Sequence, residues 1–119
     1  MTAPEVIDLF ESSCEIIRKA TLAGDYRANN REHDRLTEVF KQFEIDSTLA
    51  AECLPKMLCS ENIVLRIQSA AYCLALEENV DQAIAVLEKA AKEDSTGIFG
   101  FNAEMTLSVW KKDGQLKIY

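Results

Sequence analysis

The sequence predicts an all-α fold of about six antiparallel helices, stacked as helical hairpins in an α-α superhelix. Three observations favour helices: the chain has only four glycines and two prolines for turns, its apolar residues recur every three or four positions, and helix-capping residues recur along it. A hydrophobic content of 48% in 119 residues is enough for a core without a disulfide or metal staple. Residues 1–119 are therefore predicted to form a single domain.

Capping residues define the predicted helices. Thr2 and Glu5 form a capping-box pattern, and Gly24 is a typical helix stop. Pro55 is expected to kink or restart the third helix. The first predicted helix runs from Thr2 to Gly24, the second from about Asp25 to Glu44, and the third is capped by Asp46 or Ser47. The fourth is opened by Ser60 and runs through Leu76, and the fifth is opened by an Asn79–Gln82 capping box and reaches about Glu93. The sixth is capped by Ser95 or Thr96 and ended by Gly114.

The helices differ in how many apolar faces they carry. The fifth has one apolar face, which is typical of an outer helix. The fourth has two, and it must be covered twice or expose a patch. The sixth also has two, formed by Ile98, Phe101, Met105 and Val109 on one side and by Phe99, Ala103, Leu107 and Trp110 on the other. Alternation of one-faced and two-faced helices indicates stacked helical hairpins.

Residues 54–76, LPKMLCSENIVLRIQSAAYCLAL, resemble a HEAT-type repeat, with Leu54-Pro55 in one helix and Ala70-Ala71 and Leu74 in the next. The runs AGDYRANNREHDRL and GIFGFNAEMTLSVWKKDG resemble a small bacterial family of HEAT-like helical domains, the domain of unknown function numbered twenty-nineteen. The resemblance implies architecture and no particular activity. Small acidic HEAT-like proteins of this kind are similar to immunity proteins that neutralise toxins.

The chain is acidic, and its net charge favours a protein partner over nucleic acid. The formal charge is −7, from 20 acidic and 13 basic residues. Nucleic-acid binding requires the opposite sign, because Lys and Arg must neutralise phosphates. A basic protein would instead be attracted. The candidate acidic contacts are Asp8, Glu11 and Glu15, which share one face of the first helix, and Glu77, Glu78 and Asp81 at the turn between the fourth and fifth helices.

Two aromatic residues are candidate anchors for a partner. Tyr72 lies on the second apolar face of the fourth helix, and Trp110 lies near the end of the sixth. Core packing is the competing interpretation for both, because the sequence does not show which face a neighbour covers.

The stretch DYRANNREHD concentrates polar side chains and the only histidine of the chain. On a helix, Tyr26, Asn29 and His33 fall on the apolar stripe that continues to Leu36 and Phe40, whereas Glu32 and Asp34 lie to either side. The favoured interpretation is a hydrogen-bonded polar pair that fixes helix packing. The alternative is a ligand-binding or catalytic pocket in which His33 is a general base.

Other chemistry is not indicated. The four cysteines have no paired spacing, and one histidine does not complete a zinc site, so no metal or other cofactor is expected. No apolar run is long enough to span a membrane, and no signal peptide is evident, which favours the cytoplasm. The sequence therefore predicts a non-enzymatic module that binds another protein, as an acidic antidote to a basic toxin, with a monomer or a homodimeric scaffold as open alternatives.

Overall fold

In the computed structural model, which describes residues 1–119, the chain forms six α-helices and one short 3₁₀ helix, with no strand. The all-α prediction is confirmed. The helices are α1 (Ala3–Ala23), α2 (Tyr26–Ile45), α3 (Ser47–Met57), α4 (Ile63–Leu76), α5 (Val80–Lys92) and α6 (Ile98–Asp113), and the 3₁₀ helix is Asp94–Thr96. The chain divides into two compact units, Met1–Cys53 and Leu54–Tyr119. That the two units fold as one domain stays a prediction.

The unit Met1–Cys53 is built on an α1–α2 hairpin. The predicted capping box is present at the start of α1: the Thr2 hydroxyl accepts from the Glu5 backbone N–H, and the Glu5 carboxylate accepts from the Thr2 backbone N–H. Gly24 ends the helix with a φ of 72°, a conformation that glycine adopts without steric cost. Phe10 of α1 and Phe43 of α2 stack with ring centroids 5.9 Å apart. This stack lies in the core of the unit.

The unit Leu54–Tyr119 contains α4, α5 and α6, and each of these helices packs against the other two. Both predicted apolar faces of α4 are covered: Leu65 and Tyr72 on one, and Ala70 and Leu74 on the other, are each at most 1% exposed. On α5 the predicted single face is buried through Ala83, Leu87 and Ala90. The alternation of two-faced and one-faced helices is thus reproduced for α4 and α5.

Three predicted starts of helices are corrected. Helix α4 begins two residues later than expected, because the Asn62 side chain accepts from the N–H groups of Val64 and Leu65, while the Ser60 hydroxyl accepts from the Asn62 N–H. Helix α5 does follow Asn79, but no capping box forms, because Asn79 has a φ of 49° and its side chain makes no cap hydrogen bond.

The third correction concerns α6, which neither Ser95 nor Thr96 caps, because Thr96 bonds back to the end of α5. Its hydroxyl donates to the carbonyl oxygens of Ala90 and Glu93, at 2.8 and 2.6 Å. Gly97, with a φ of 54°, then precedes α6. Pro55 lies inside α3, which continues past it to Met57 and does not restart there. Proline at this position removes a donor without ending the helix.

Candidate functional site

The outer face of α6 carries four large apolar side chains that are exposed. Ile98, Phe101, Met105 and Val109 are 50%, 58%, 50% and 40% exposed, and we call them the α6 apolar stripe. Their spacing places them within about 80° around the helix axis, so they form one continuous surface. The opposite face is covered, since Phe99, Ala103 and Leu107 are buried. Of the two faces predicted for this helix, one belongs to the core and the other to solvent.

Glu77, Glu78 and Asp81 are all exposed at the turn between α4 and α5, and we call them the acidic turn. None of the three carboxylates forms an ion pair within the chain. The turn is tight: Glu77 and Asn79 both have positive φ, at 57° and 49°. The Glu78 N–H donates to the Cys73 carbonyl oxygen at 2.9 Å, which closes the end of α4. The turn therefore presents three negative charges from a fixed backbone.

The acidic face predicted on α1 is less available. Asp8 is exposed, but Glu11 and Glu15 are half-buried. Glu15 accepts two hydrogen bonds from the Arg18 guanidinium, at 2.6 and 2.9 Å, and lies 3.9 Å from the Lys19 ammonium. The bond from Arg18 lowers the pKa of Glu15 and ties its charge to α1. The acidic turn is therefore the better of the two candidate surfaces for a basic partner.

The two candidate aromatic anchors differ in accessibility. Tyr72 is 1% exposed and belongs to the core, so it packs inside the unit and is not available to contact a partner. The reason is that α4 is covered on both of its apolar faces. Trp110 is half-buried near the end of α6 and retains surface that a partner can reach.

The structure does not assemble the predicted Tyr26–Asn29–His33 group. Tyr26 is 66% exposed and lies against Arg27, whose guanidinium carbon is 5.9 Å from the ring centroid. Asn29 donates to the Thr21 hydroxyl of α1 at 2.7 Å. The His33 ring is half-buried and hydrogen-bonds to neither of them; burial lowers its pKa, with an opposing effect from Asp34. Of the predicted polar pair, Asn29 therefore finds a partner near the end of α1, whereas the His33 ring forms no hydrogen bond.

Glu32 is the polar residue of α2 that sequence reasoning missed. It is 4% exposed and accepts from the Ser13 hydroxyl of α1 at 2.8 Å. Arg31 and Arg35, both exposed, lie 3.2 and 3.7 Å from its carboxylate oxygens. The Ser13 bond is the main cause that lowers the pKa of Glu32, burial opposes it, and the two arginines assist. Glu32 thus connects α1 to α2 as a charged structural residue.

The thiols fall into two groups. Cys14, Cys53 and Cys73 are buried, and Cys59 is exposed. Burial raises the pKa of Cys14 and of Cys73 to about 12, which leaves both as unreactive thiols near neutral pH. The structure contains no group of three or more His, Cys, Asp or Glu side chains placed to hold a metal ion. None of its helices is long and apolar enough to cross a membrane.

Comparison of the chain with models of protein families, with curated proteins and with solved structures finds no match. The resemblance to HEAT-like repeats therefore stays a prediction that rests on the residues named above.

Proposed function

We propose that this chain is a non-enzymatic module that binds another protein, with the α6 apolar stripe as its main contact surface. The observation that carries the proposal is the exposure of four large apolar side chains on one helix face, each at least 40% exposed. Contiguous apolar surface on a soluble domain commonly marks an interaction site. A helix face of this kind supplies anchors spaced at about i, i+3, i+7 and i+11.

The acidic turn supports a basic partner. Three exposed carboxylates without internal partners add to a chain of formal charge −7. Such a surface accelerates encounter with a positively charged protein, and the apolar stripe then slows its dissociation. An acidic antidote to a basic toxin is the specific form of this function that we propose.

Two buried thiols with a raised pKa support the non-enzymatic part of the proposal. Cys14 and Cys73, two of the three buried thiols, have a pKa of about 12. Catalysis by a thiolate requires a lowered pKa and a neighbouring base.

Affinity capture with two matched variants tests the contact surface. The tagged chain, the double variant F101E/M105E and the control N30E/Q42E are each incubated with native cell extract, and bound proteins are quantified by mass spectrometry. All four substituted positions are exposed and helical, so both variants add two negative charges without changing the core. We expect one protein, of basic isoelectric point, to be retained by the native chain and the control and lost by F101E/M105E.

Two results contradict the proposal. One is a bound protein that F101E/M105E retains at the level of the control. The other is the failure of every protein to bind the native chain above the level of F101E/M105E. Circular dichroism of both variants establishes that any loss is not caused by unfolding. Once the partner is purified, E77K/E78K/D81K should slow its association at low salt and have less effect at high salt.

A second copy of the chain is the competing occupant of the α6 apolar stripe. The distribution of charge at the two ends of α6 favours it: Glu93 and Asp94 precede the helix, and Lys111 and Lys112 lie in its last turn. Two copies of α6 packed antiparallel place opposite charges at both ends. Light scattering over a range of concentrations distinguishes this case, because a dimer abolished by F101E/M105E indicates a homodimeric scaffold.

A further inference from the structure

A solvent-open groove of about 470 Å³ lies in the unit Leu54–Tyr119, between the segment joining α3 to α4 and one side of α5. Its volume is within the range of small-molecule sites, about 300–1,000 Å³. The charged side chains that line it are Glu61, Arg66, Lys89 and Glu93, and its apolar surface comes from Leu58, Val86 and Ala90. The groove shares no residue with the α6 apolar stripe or the acidic turn.

Arg66 is held in place by the backbone of the segment beside it. Its Nη1 atom donates to the carbonyl oxygens of Ser60 and Glu61, at 2.9 and 3.0 Å. These two bonds use both Nη1 hydrogens, and no carboxylate of the chain pairs with the guanidinium. The Nε and Nη2 edge therefore remains without a partner in the chain. That edge presents two parallel N–H donors, the arrangement that binds both oxygens of a carboxylate.

The charges around the groove determine which anion fits. Arg66 and Lys89 are opposed by Glu61 and Glu93, and the Lys89 ammonium lies 4.0 Å from the Glu93 carboxylate. The four formal charges cancel, so a singly charged anion is accommodated better than a dianion such as phosphate. The apolar surface of Val86 and Ala90 suits a small hydrocarbon body attached to the charged group.

We propose that this groove binds a small carboxylic acid, with the carboxylate on the Nε and Nη2 edge of Arg66 and the apolar body against α5. The fixed guanidinium supplies affinity with little ordering cost, because its orientation is set before the ligand arrives. This site is independent of the proposed protein contact, and its failure would leave that contact unaffected.

Cys59 lines the same groove and provides a chemical test. It is the exposed thiol, whereas the other three cysteines are buried. Iodoacetate is a small carboxylic acid that alkylates thiols, and iodoacetamide is its neutral analogue. In both reactions the Cys59 sulfur forms a bond to the methylene carbon, iodide leaves with the electrons of the C–I bond, and the thiol proton passes to solvent. The ratio of the two rates therefore reports recognition of the carboxylate.

In the native chain we expect butyrate, but not butyramide, to slow alkylation of Cys59 by iodoacetate. The variant R66Q should lower the ratio of the iodoacetate rate to the iodoacetamide rate by about tenfold, the effect of one charge-assisted pair of hydrogen bonds. The control R27Q removes an exposed arginine from α2 and should leave the ratio unchanged. The variant R66K retains the charge and should recover only part of the ratio, because lysine lacks the planar fork.

A ratio that R66Q leaves within twofold of the native value overturns the proposal. Equal protection by butyrate and butyramide also overturns it. Because R66Q removes two bonds to the backbone, a measurement on the native chain is included as a second test. Titration with butyrate, followed by amide chemical shifts, should perturb residues 58–61 and 86–93 first. Butyrate is added to tens of millimolar, on the order of the dissociation constant of a weak small ligand. If no amide in these segments shifts at that concentration, the proposed site is also contradicted.

Discussion

Glu32 is the charged side chain that the core contains, and its environment explains how a carboxylate is kept there. Burial disfavours the charged form, but the Ser13 hydroxyl at 2.8 Å and the two arginines at its edge compensate. The arginines are more than half exposed, so their attraction is screened by water. The bond from Ser13 is therefore the principal stabilising contact.

The pH dependence of stability should report this carboxylate. Its pKa in the folded chain lies below the ordinary value of 4.5, so the unfolded chain takes up the proton first as the pH falls. The stabilisation is present above pH 4.5 and is lost as the pH falls through the folded pKa. We expect E32Q to lower the free energy of unfolding by about 1–3 kcal/mol at neutral pH and to flatten its decline below pH 4.5 in urea titrations.

The control is E38Q, which removes an exposed glutamate of the same helix paired with Lys41 at 3.1 Å. Its side chain is 72% exposed, and its effect should be within about 0.5 kcal/mol. Equal effects of E32Q and E38Q would contradict a structural role for Glu32.

The single imidazole of the chain gives an unambiguous titration. Burial lowers the pKa of His33 from its ordinary value of 6.5, with partial opposition from Asp34. We expect the imidazole proton resonances in NMR spectra to titrate with a midpoint below pH 6.5. The linked stability is lost as the pH falls below 6.5, because the unfolded chain then binds more protons. A midpoint at or above 6.5 would show that the ring is solvated or paired with an acid.

The sequence placed the wrong polar residue of α2 in the core, and helical geometry explains why. The buried apolar residues of this helix are Leu36, Val39, Phe40 and Phe43. Their centre lies about 30° from Glu32 and about 70° from His33 around the helix axis. A stripe that included Val39 would have predicted that Glu32, and not His33, faces the core. The hydroxyl that makes its burial tolerable belongs to α1, 19 positions away, and no local pattern shows it.

At the scale of elements, the corner between α5 and α6 depends on one glycine. A Cβ on Gly100 would collide with the Thr96 hydroxyl oxygen and lie 2.8 Å from the Ala90 carbonyl oxygen. Both atoms are fixed, since the Thr96 hydroxyl donates to the Ala90 carbonyl. Alanine is ordinarily better than glycine inside a helix by up to about 1 kcal/mol. Here the expected effect has the opposite sign.

We therefore expect G100A to lower the midpoint of urea unfolding, with a cost of about 1–3 kcal/mol, because the helix must shift from its neighbour. S108A provides the control, since Ser108 is exposed on the same helix and should gain slightly from the change. Partial recovery in G100A/T96A would assign the cost to the hydroxyl contact. A G100A chain as stable as the native one would refute the packing described for this corner.

Elements were predictable where the signal was local. The Thr2–Glu5 capping box and the Gly24 stop depend on residues within one turn, and both are present. The two faces of α6 were also visible in the sequence. The sequence did not show which of the two faces is covered, because that depends on contacts with α4 and α5. For the same reason the sequence offered Tyr72, which is buried, as a contact residue and did not offer Phe101, which is exposed.

At the scale of the whole molecule, the predicted single domain can be tested with two reporters. Trp110 is the only tryptophan and reports on the unit Leu54–Tyr119, whereas Cys14 is buried in Met1–Cys53. If the chain folds as one cooperative domain, tryptophan fluorescence and alkylation of Cys14 should give the same urea midpoint. Separate midpoints would show two independently unfolding domains.

The groove around Arg66, proposed above as a carboxylate site, shows why such a feature is not visible in the sequence. Its walls come from residues 58–61 and 86–93, which are some 30 positions apart and carry no motif. Arg66 itself was placed among residues that suggested a helical repeat. The feature that distinguishes it, two hydrogen bonds to backbone carbonyls, exists only after the chain has folded.

At position 77 the backbone conformation favours glycine, whereas the proposed attraction of a basic partner favours the glutamate carboxylate. With a φ of 57°, a side chain there is strained by about 1–2 kcal/mol relative to glycine. E77G should therefore raise the free energy of unfolding and, if the acidic turn attracts a basic partner as proposed, slow the capture of that partner. Selection for thermal stability alone would favour this change, and a melting curve would show the gain in stability but not the loss of a charge from the acidic turn.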